Sequence, residues 1–165
     1  MPANPPGSPG GDAHWLTAAI ELSRCCLPSP TAFSVGALLV AADAAVIATG
    51  YSREADPLDH AEEAALAKVA ALASAPSASG GRPWLASATM YSSLEPCAMR
   101  ASRPRTCAEL IIAAGIGRVV IAWREPPVFV PGGGAAVLQA AGVTVVELPE
   151  FAAAARAVNA HLALG

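Results

Sequence analysis

Residues 94–107 read LEPCAMRASRPRTC, and the two cysteines of this stretch constrain how the chain folds around them. In one continuous helix Cys97 and Cys107 would lie about 15 Å apart along the axis, too far apart to bind the same metal ion. Pro104 disfavours such a helix, and the residues TCAE at 106–109 form a capping box that starts a new one. The sequence therefore predicts a loop that brings the two thiols together. The alternative is two unrelated buried cysteines.

A second polar stretch, DHAE at 59–62, opens a predicted helix that runs to about Ala73. Asp59 is expected to be its N-cap, which places His60 at the first helical position and Glu62 at the third, near the positive end of the helix. The simpler interpretation is a capping box between Asp59 and Glu62 beside a surface histidine. If the two stretches meet, an imidazole, a carboxylate and two thiols share one site.

Hydrophobic periodicity divides the chain into alternating elements. The predicted helices are 12–27, 59–73, 107–114, 135–141 and 151–164, and the predicted strands are 33–40, 46–51, 87–92, 119–123 and 143–148. The order αββαβαβαβα predicts an α/β fold, a three-layer α/β/α sandwich around a mixed five-stranded sheet. Gly36 inside the first strand indicates either a close approach of another segment or a bulge.

Composition and charge favour a cytoplasmic protein that binds small molecules. Its 165 residues fit one domain, residues 12–165, after a Pro- and Gly-rich tail over 1–11 that we expect to be disordered. The net charge of −3 argues against nucleic-acid binding, and apolar runs stop before the roughly 18 residues of a membrane span. The tail lacks the Lys, Arg and apolar core of a secretory signal. Cys25 and Cys26 are expected to be buried as small hydrophobic residues.

HAE at 60–62, followed by EPC at 95–97 and a downstream cysteine, resembles the zinc-dependent cytidine and deoxycytidylate deaminase superfamily. Nine residues separate the cysteines instead of the usual two, and this long gap is most similar to the deaminase domain of riboflavin biosynthesis proteins of the RibD type. The resemblance implies a cytidine deaminase-like fold and Zn²⁺ held by His60, Cys97 and Cys107. Glu62 would then be the catalytic proton carrier.

Two departures from the RibD pattern bear on the substrate. Ala98 and Met99 replace Ser-His after the first cysteine, and the run TAF at 31–33 replaces an Asn-Pro pair. Arginines in the loop between the cysteines are typical of phosphate binding or, alternatively, of a solvated loop. The candidate substrate-binding residues are Phe33, Ser93, Arg100, Arg103, Arg105 and Phe129.

The resemblance implies a zinc-dependent hydrolytic deaminase of an amino-heterocycle, most simply an aminopyrimidine nucleotide of the riboflavin-pathway type. One alternative is a cytidine, dCMP or free-base (cytosine or guanine) deaminase, and the other is a non-catalytic, zinc-stabilised binding module. The expected partners are a small base, nucleoside or nucleotide and a second copy of the chain in a homo-oligomer, most simply a dimer. A membrane or a nucleic acid is not expected as a partner.

Overall fold

The computed structural model describes residues 11–72 and 82–163. Its five α-helices are α1 (Gly11–Ser23), α2 (Ala61–Leu72), α3 (Cys107–Ala114), α4 (Gly134–Ala140) and α5 (Ala152–Val158). Its five strands are β1 (Gly36–Val40), β2 (Val46–Tyr51), β3 (Thr89–Ser92), β4 (Arg118–Ile121) and β5 (Thr144–Glu147). Short 3-10 helices cover Pro83–Ser87, Pro149–Phe151 and Ala160–Leu162. The predicted order of helices and strands is confirmed.

The strands form one mixed sheet in the order β2-β1-β3-β4-β5. β1 pairs antiparallel with both β2 and β3, whereas β3, β4 and β5 are parallel. Each parallel pair is joined through one helix, because a parallel connection has to return the chain to the same end of the sheet. The carboxyl ends of β3 and β4 consequently lie side by side, at Ser92 and Ile121.

Two glycines show that helices cover both faces of the sheet. A Cβ on Gly36 would overlap the carbonyl of Ala19 in α1, and a Cβ on Gly50 would overlap the carbonyl of Ala61 in α2. Gly50 lies opposite Ala37, so Gly36 and Gly50 point to opposite faces. α5 packs beside α1, and α3 and α4 continue the layer of α2. The predicted three-layer sandwich is confirmed, and the close approach at Gly36 is explained by α1.

The boundaries of the first helix were predicted wrongly at both ends. α1 begins at Gly11, one residue before the predicted start at Asp12, so Asp12 lies inside the helix. The φ of Gly11 is 71°, in the left-handed region that favours glycine. The Asp12 carboxylate accepts hydrogen bonds from Tyr91 and Arg118. The helix stops at Ser23 rather than Leu27, because the Ser23 hydroxyl bonds back to the Ile20 carbonyl and the chain turns.

The remaining corrections concern strand ends and cysteines. The first strand begins at Gly36 rather than Phe33, since the N–H groups of Ser34 and Val35 donate to the side chains of Asn159 and Ser52 instead of to a neighbouring strand. Cys26 is buried as expected, but Cys25 is exposed beyond the end of α1. Residues 1–10 of the predicted tail, residues 73–81 after α2 and residues 164–165 lie outside the described residues. No helix in the described ranges is long and apolar enough to cross a membrane.

Candidate active site and metal centre

His60 lies immediately before α2, one position earlier than predicted. Its carbonyl accepts the N–H of Ala64 at 2.9 Å, and its own N–H donates to the Glu63 carboxylate at 3.4 Å. Asp59 is therefore not the helix cap. Its carboxylate accepts the N–H of Asp56 and pairs with Arg103. Glu62 is consequently the second residue of the helix and Glu63 the third.

Cys107 is the first residue of α3, and the capping box predicted at its start is confirmed. The Thr106 hydroxyl accepts the N–H of Glu109 at 3.2 Å, and the Glu109 carboxylate accepts the N–H of Thr106 at 2.8 Å. The backbone N–H of Cys107 then donates to the Cys97 sulfur at 3.3 Å. The N-terminus of α3 therefore contacts Cys97. The predicted loop that brings the two thiols together is confirmed.

His60, Cys97 and Cys107 converge in one cluster, which we call the metal triad. The Nδ1 atom of His60 lies 3.5 Å from the Sγ atom of each cysteine. Tetrahedral zinc with ordinary Zn–N and Zn–S bonds places a nitrogen and a sulfur ligand about 3.6 Å apart. The three ligand atoms lie within 4.8 Å of one another, and both cysteines are buried. The triad therefore fits a zinc ion with three protein ligands and a fourth, open position.

The two thiols of the triad shift each other's pKa in opposite directions. A hydrogen bond from the Cys107 thiol lowers the pKa of Cys97, and His60 and the Cys107 N–H add to the effect. The same hydrogen bond and burial raise the pKa of Cys107. We place the thiolate on Cys97, because this sulfur also accepts the backbone N–H of Cys107. Cys97 is thus the more acidic of the two thiols, and the thiolate is the form of cysteine that binds a metal ion.

Glu62 is a buried carboxyl group next to the triad, with only 3% of its surface exposed. Burial raises its pKa above the ordinary value, although a hydrogen bond from Ser92 opposes that shift. The Ser92 hydroxyl, at the carboxyl end of β3, donates to Oε1 of Glu62 at 2.7 Å. Because Ser92 occupies Oε1, Oε2 is the oxygen that is left to exchange a proton.

One cavity of about 400 Å³ joins Glu62, His60 and Cys97 to a wall of aromatic and polar residues. Phe33 and Phe129 line it, packed edge to face with their ring centroids 5.3 Å apart. Phe33 also contacts Trp123, at 5.6 Å between centroids. The cavity is large enough for a heterocycle with a small substituent.

A sequence model described as the cytidine and deoxycytidylate deaminase zinc-binding region matches residues 11–123. The chain belongs to this deaminase family. The match includes the metal triad and Glu62, so the expected Zn²⁺ cofactor agrees with both the family and the geometry.

Relatives of RibD type cover most of this deaminase-family chain. It is 34% identical over 143 residues to the diaminohydroxyphosphoribosylamino-pyrimidine deaminase of Schizosaccharomyces pombe, and the alignment covers 87% of this chain and 33% of that protein. It is 33% identical over 138 residues to RibD of Escherichia coli, with 81% of this chain and 33% of that protein covered. The chain thus spans about a third of these two relatives.

Solved structures give the same assignment. RibD of Acinetobacter baumannii has a TM-score of 0.74 at 29% identity, over 92% of this chain and 38% of that chain. The Rib2 deaminase of Aspergillus oryzae, a C-terminal deletion mutant in complex with DARIPP, has a TM-score of 0.70 at 26% identity, over 92% and 96%. The dCMP deaminase of cyanophage S-TIM5, at 22% identity, shares the fold.

Three of the candidate substrate residues line the cavity of this deaminase-family chain, namely Phe33, Arg100 and Phe129. The other three lie outside it. Ser93 is buried, and its hydroxyl accepts the N–H of Gly36 at 3.1 Å. Arg103 pairs with acidic side chains near the start of α2, and exposed Arg105 donates to the Glu109 carbonyl.

Two of the three arginines in the loop, Arg100 and Arg103, are held in ion pairs. The Arg100 side chain is 1% exposed and donates to Glu63 at 2.8 Å and to the Leu58 carbonyl. Arg103 bridges Asp59 at 2.9 Å and Glu63 at 3.2 Å. Both arginines therefore hold the loop of residues 98–105 against the segment that carries His60. The Nη1 atom of Arg100 is buried and has no hydrogen-bond partner.

Sequence reasoning missed three polar residues of the site. Ser92 holds Glu62, and Arg53 and Glu125 line the cavity. Burial, followed by the nearby anionic groups Cys97, Glu62 and Glu95, raises the pKa of Glu125 to about 8. The signal for Ser92 and Glu125 was their position at or just after the carboxyl ends of parallel strands, where ligands bind in α/β sheets. Nothing local in the sequence marks Arg53.

Proposed function

We propose that the chain is a zinc-dependent hydrolytic deaminase of an aminopyrimidine nucleotide of the riboflavin-pathway type. The observation that carries the proposal is the buried carboxyl of Glu62 in the same cavity as His60 and Cys97. A structural zinc site needs no such group. The relatives named for diaminohydroxyphosphoribosylamino-pyrimidine deamination support this substrate class.

In the proposed reaction His60, Cys97 and Cys107 hold the zinc ion. When bound, zinc lowers the pKa of water toward neutrality and so makes a nucleophile available. Glu62 would accept one proton of the attacking water on Oε2 and donate it to the ring nitrogen, and it would then carry the remaining proton of the added hydroxyl to the leaving amine. A carbon–oxygen bond forms and the carbon–nitrogen bond breaks, so the products are a carbonyl compound and ammonia.

The cavity wall offers contacts for the rest of the substrate. In this proposal Phe33 and Phe129, which line the cavity, stack on the heterocycle, and the partnerless Nη1 of Arg100 donates to an acceptor such as a phosphate oxygen. Ser93 and Arg103 act behind the wall in this proposal, because their hydrogen bonds and ion pairs support segments that line it. Exposed Arg105 makes one long bond to the Glu109 carbonyl and is given no role in binding.

Two other functions follow from the same residues. The family description supports a cytidine, dCMP or free-base deaminase as the second candidate. A non-catalytic, zinc-stabilised module would bind metal and lack turnover. We also propose a homo-oligomer, because apolar side chains such as Leu72 and Val137 are exposed. A single monomeric species at micromolar concentration in sedimentation velocity would contradict this.

An ammonia-release screen tests the proposal directly. The panel contains diaminopyrimidine ribosylamino phosphates, cytidine, dCMP, cytosine and guanine, each with the zinc-loaded wild type and with Glu62→Gln. Turnover of the diaminopyrimidine in the wild type alone supports the first proposal. Turnover of another member supports the second candidate, and zinc-loaded protein inactive on the whole panel supports the binding module.

A further inference from the structure

The loop of residues 125–134, which we call the cavity loop, carries three residues of the cavity wall. Glu125, Phe129 and Val130 all line the cavity. The loop leaves β4 and enters α4, and it contains three prolines and three glycines. Prolines donate no backbone hydrogen bond, so a loop of this composition has few internal bonds to define its conformation. The position of the cavity loop is therefore set by contacts with other segments of the chain.

Glu95 provides two bonds from outside the cavity loop. Its Oε2 atom accepts the N–H of Glu125 at 2.9 Å, and its Oε1 atom accepts the N–H of Ala135 at 2.8 Å. These donors are the first residue of the loop and the residue directly after it. The Glu95 side chain is 2% exposed, whereas its cationic neighbour Arg124 is half-exposed and 3.9 Å away. One buried carboxylate therefore joins the two ends of the loop.

The glycines show that the cavity loop closes directly onto the residues beside Glu95. A Cβ on Gly134 would overlap the carbonyl of Pro96, and a Cβ on Gly132 would lie 2.8 Å from the Glu125 carbonyl and 3.6 Å from Oε2 of Glu95. Pro96 directly precedes Cys97. The cavity loop is thus packed against residues 95–96, which directly precede the triad residue Cys97.

We propose that Glu95 is a positioning residue, which sets substrate affinity by holding the cavity loop against the metal triad. Glu95 lies at the edge of the cavity, but both of its carboxylate oxygens already accept backbone N–H groups, so in this proposal the carboxylate binds no substrate. It acts through the backbone of Glu125 and Ala135, and so through Glu125 and Phe129 on the wall. The effect on affinity rests on the proposed deaminase function, whereas the effect on the loop does not.

The test compares Glu95→Ala, Glu95→Gln and a matched control, Asp12→Ala, in zinc-loaded protein. Asp12 is likewise a largely buried carboxylate with two partners, Tyr91 and Arg118, but it lies at the start of β3 and β4, away from the cavity. Loss of the charge-assisted bonds in Glu95→Ala is expected to raise KM about tenfold. The expected change in kcat is less than about threefold. Glu95→Gln keeps one acceptor oxygen and should recover part of the affinity, and Asp12→Ala should leave KM unchanged.

Amide hydrogen exchange gives a second readout that needs no activity. The N–H groups of Glu125 and Ala135 should both exchange at least about tenfold faster in Glu95→Ala, and one of the two in Glu95→Gln, with α3 and β3 unchanged. An unchanged KM in Glu95→Ala, or an equal rise in Asp12→Ala, overturns the proposal. If Glu95→Ala does not fold, KM and exchange in Glu95→Gln decide. If the wild type turns over no substrate, the proposed function fails, and exchange at the two amides alone supports or overturns the role of Glu95.

Discussion

Replacing Arg100 by Met should destabilise the protein far more than the same change at Arg105. The Arg100 side chain is 1% exposed and bonds to Glu63 and to the Leu58 carbonyl, so its loss leaves a largely buried carboxylate short of one partner. Breaking a buried pair costs about 3–5 kcal/mol, and we expect the lower end because Glu63 keeps its bond to Arg103. Exposed Arg105 makes one long bond to a carbonyl, and its replacement should change stability by less than about 0.5 kcal/mol.

The assay is urea unfolding of both variants with saturating zinc, followed by circular dichroism. In thermal unfolding, the same loss of about 3 kcal/mol would lower the Tm by about 6–12 °C for a chain of this size. Both variants lose one positive charge from the same loop, so a general charge effect would act on both. Equal stabilities of Arg100→Met and Arg105→Met would refute the assignment of Arg100 as the anchor of the loop.

Three further results are expected. Glu62→Gln should keep one zinc per chain by elemental analysis and lower kcat by about 10²–10⁴, since it removes the proton carrier; an active variant contradicts that role. Cys107→Ser should lower the zinc content well below one per chain, and full occupancy would contradict the triad. The hydrogen bond from Arg118 lowers the pKa of Asp12. The contribution of this ion pair to the free energy of unfolding is therefore present above about pH 4 and is lost as the pH falls through the lowered pKa of Asp12. Asp12→Asn should therefore lose less stability than the wild type between about pH 5 and pH 2, and parallel losses would contradict this.

Local signals in the sequence defined the second half of the site well. A proline and a four-residue capping box placed the start of α3 at Cys107, and the structure has that helix at Cys107–Ala114 as predicted. These signals act over one helical turn, so the sequence contains all of the information. The alternation of helices and strands was equally readable, because burial of one face repeats along each element.

Contacts between distant segments were beyond such reasoning. Asp59 was expected to cap its own helix, but Arg103, 44 residues later, takes one of its carboxylate oxygens. Glu95 lies beside a zinc ligand in sequence, yet its partners are 30 and 40 residues away. Acidic and basic residues carry no local mark of which partner they will meet, so only the folded chain identifies these pairs.

The edge-to-face contact between Phe33 and Trp123 has an optical consequence. Trp123 is 8% exposed, does not itself line the cavity, and touches a residue that does, while Arg156 lies over its ring at 5.4 Å. Indole emission responds to nearby charge and to ring motion, so a ligand that displaces Phe33 changes the fluorescence of Trp123. With Trp15 and Trp84 replaced by phenylalanine, the chain would contain a single tryptophan, directly behind its cavity wall, and would report occupancy without a label or a coupled reaction.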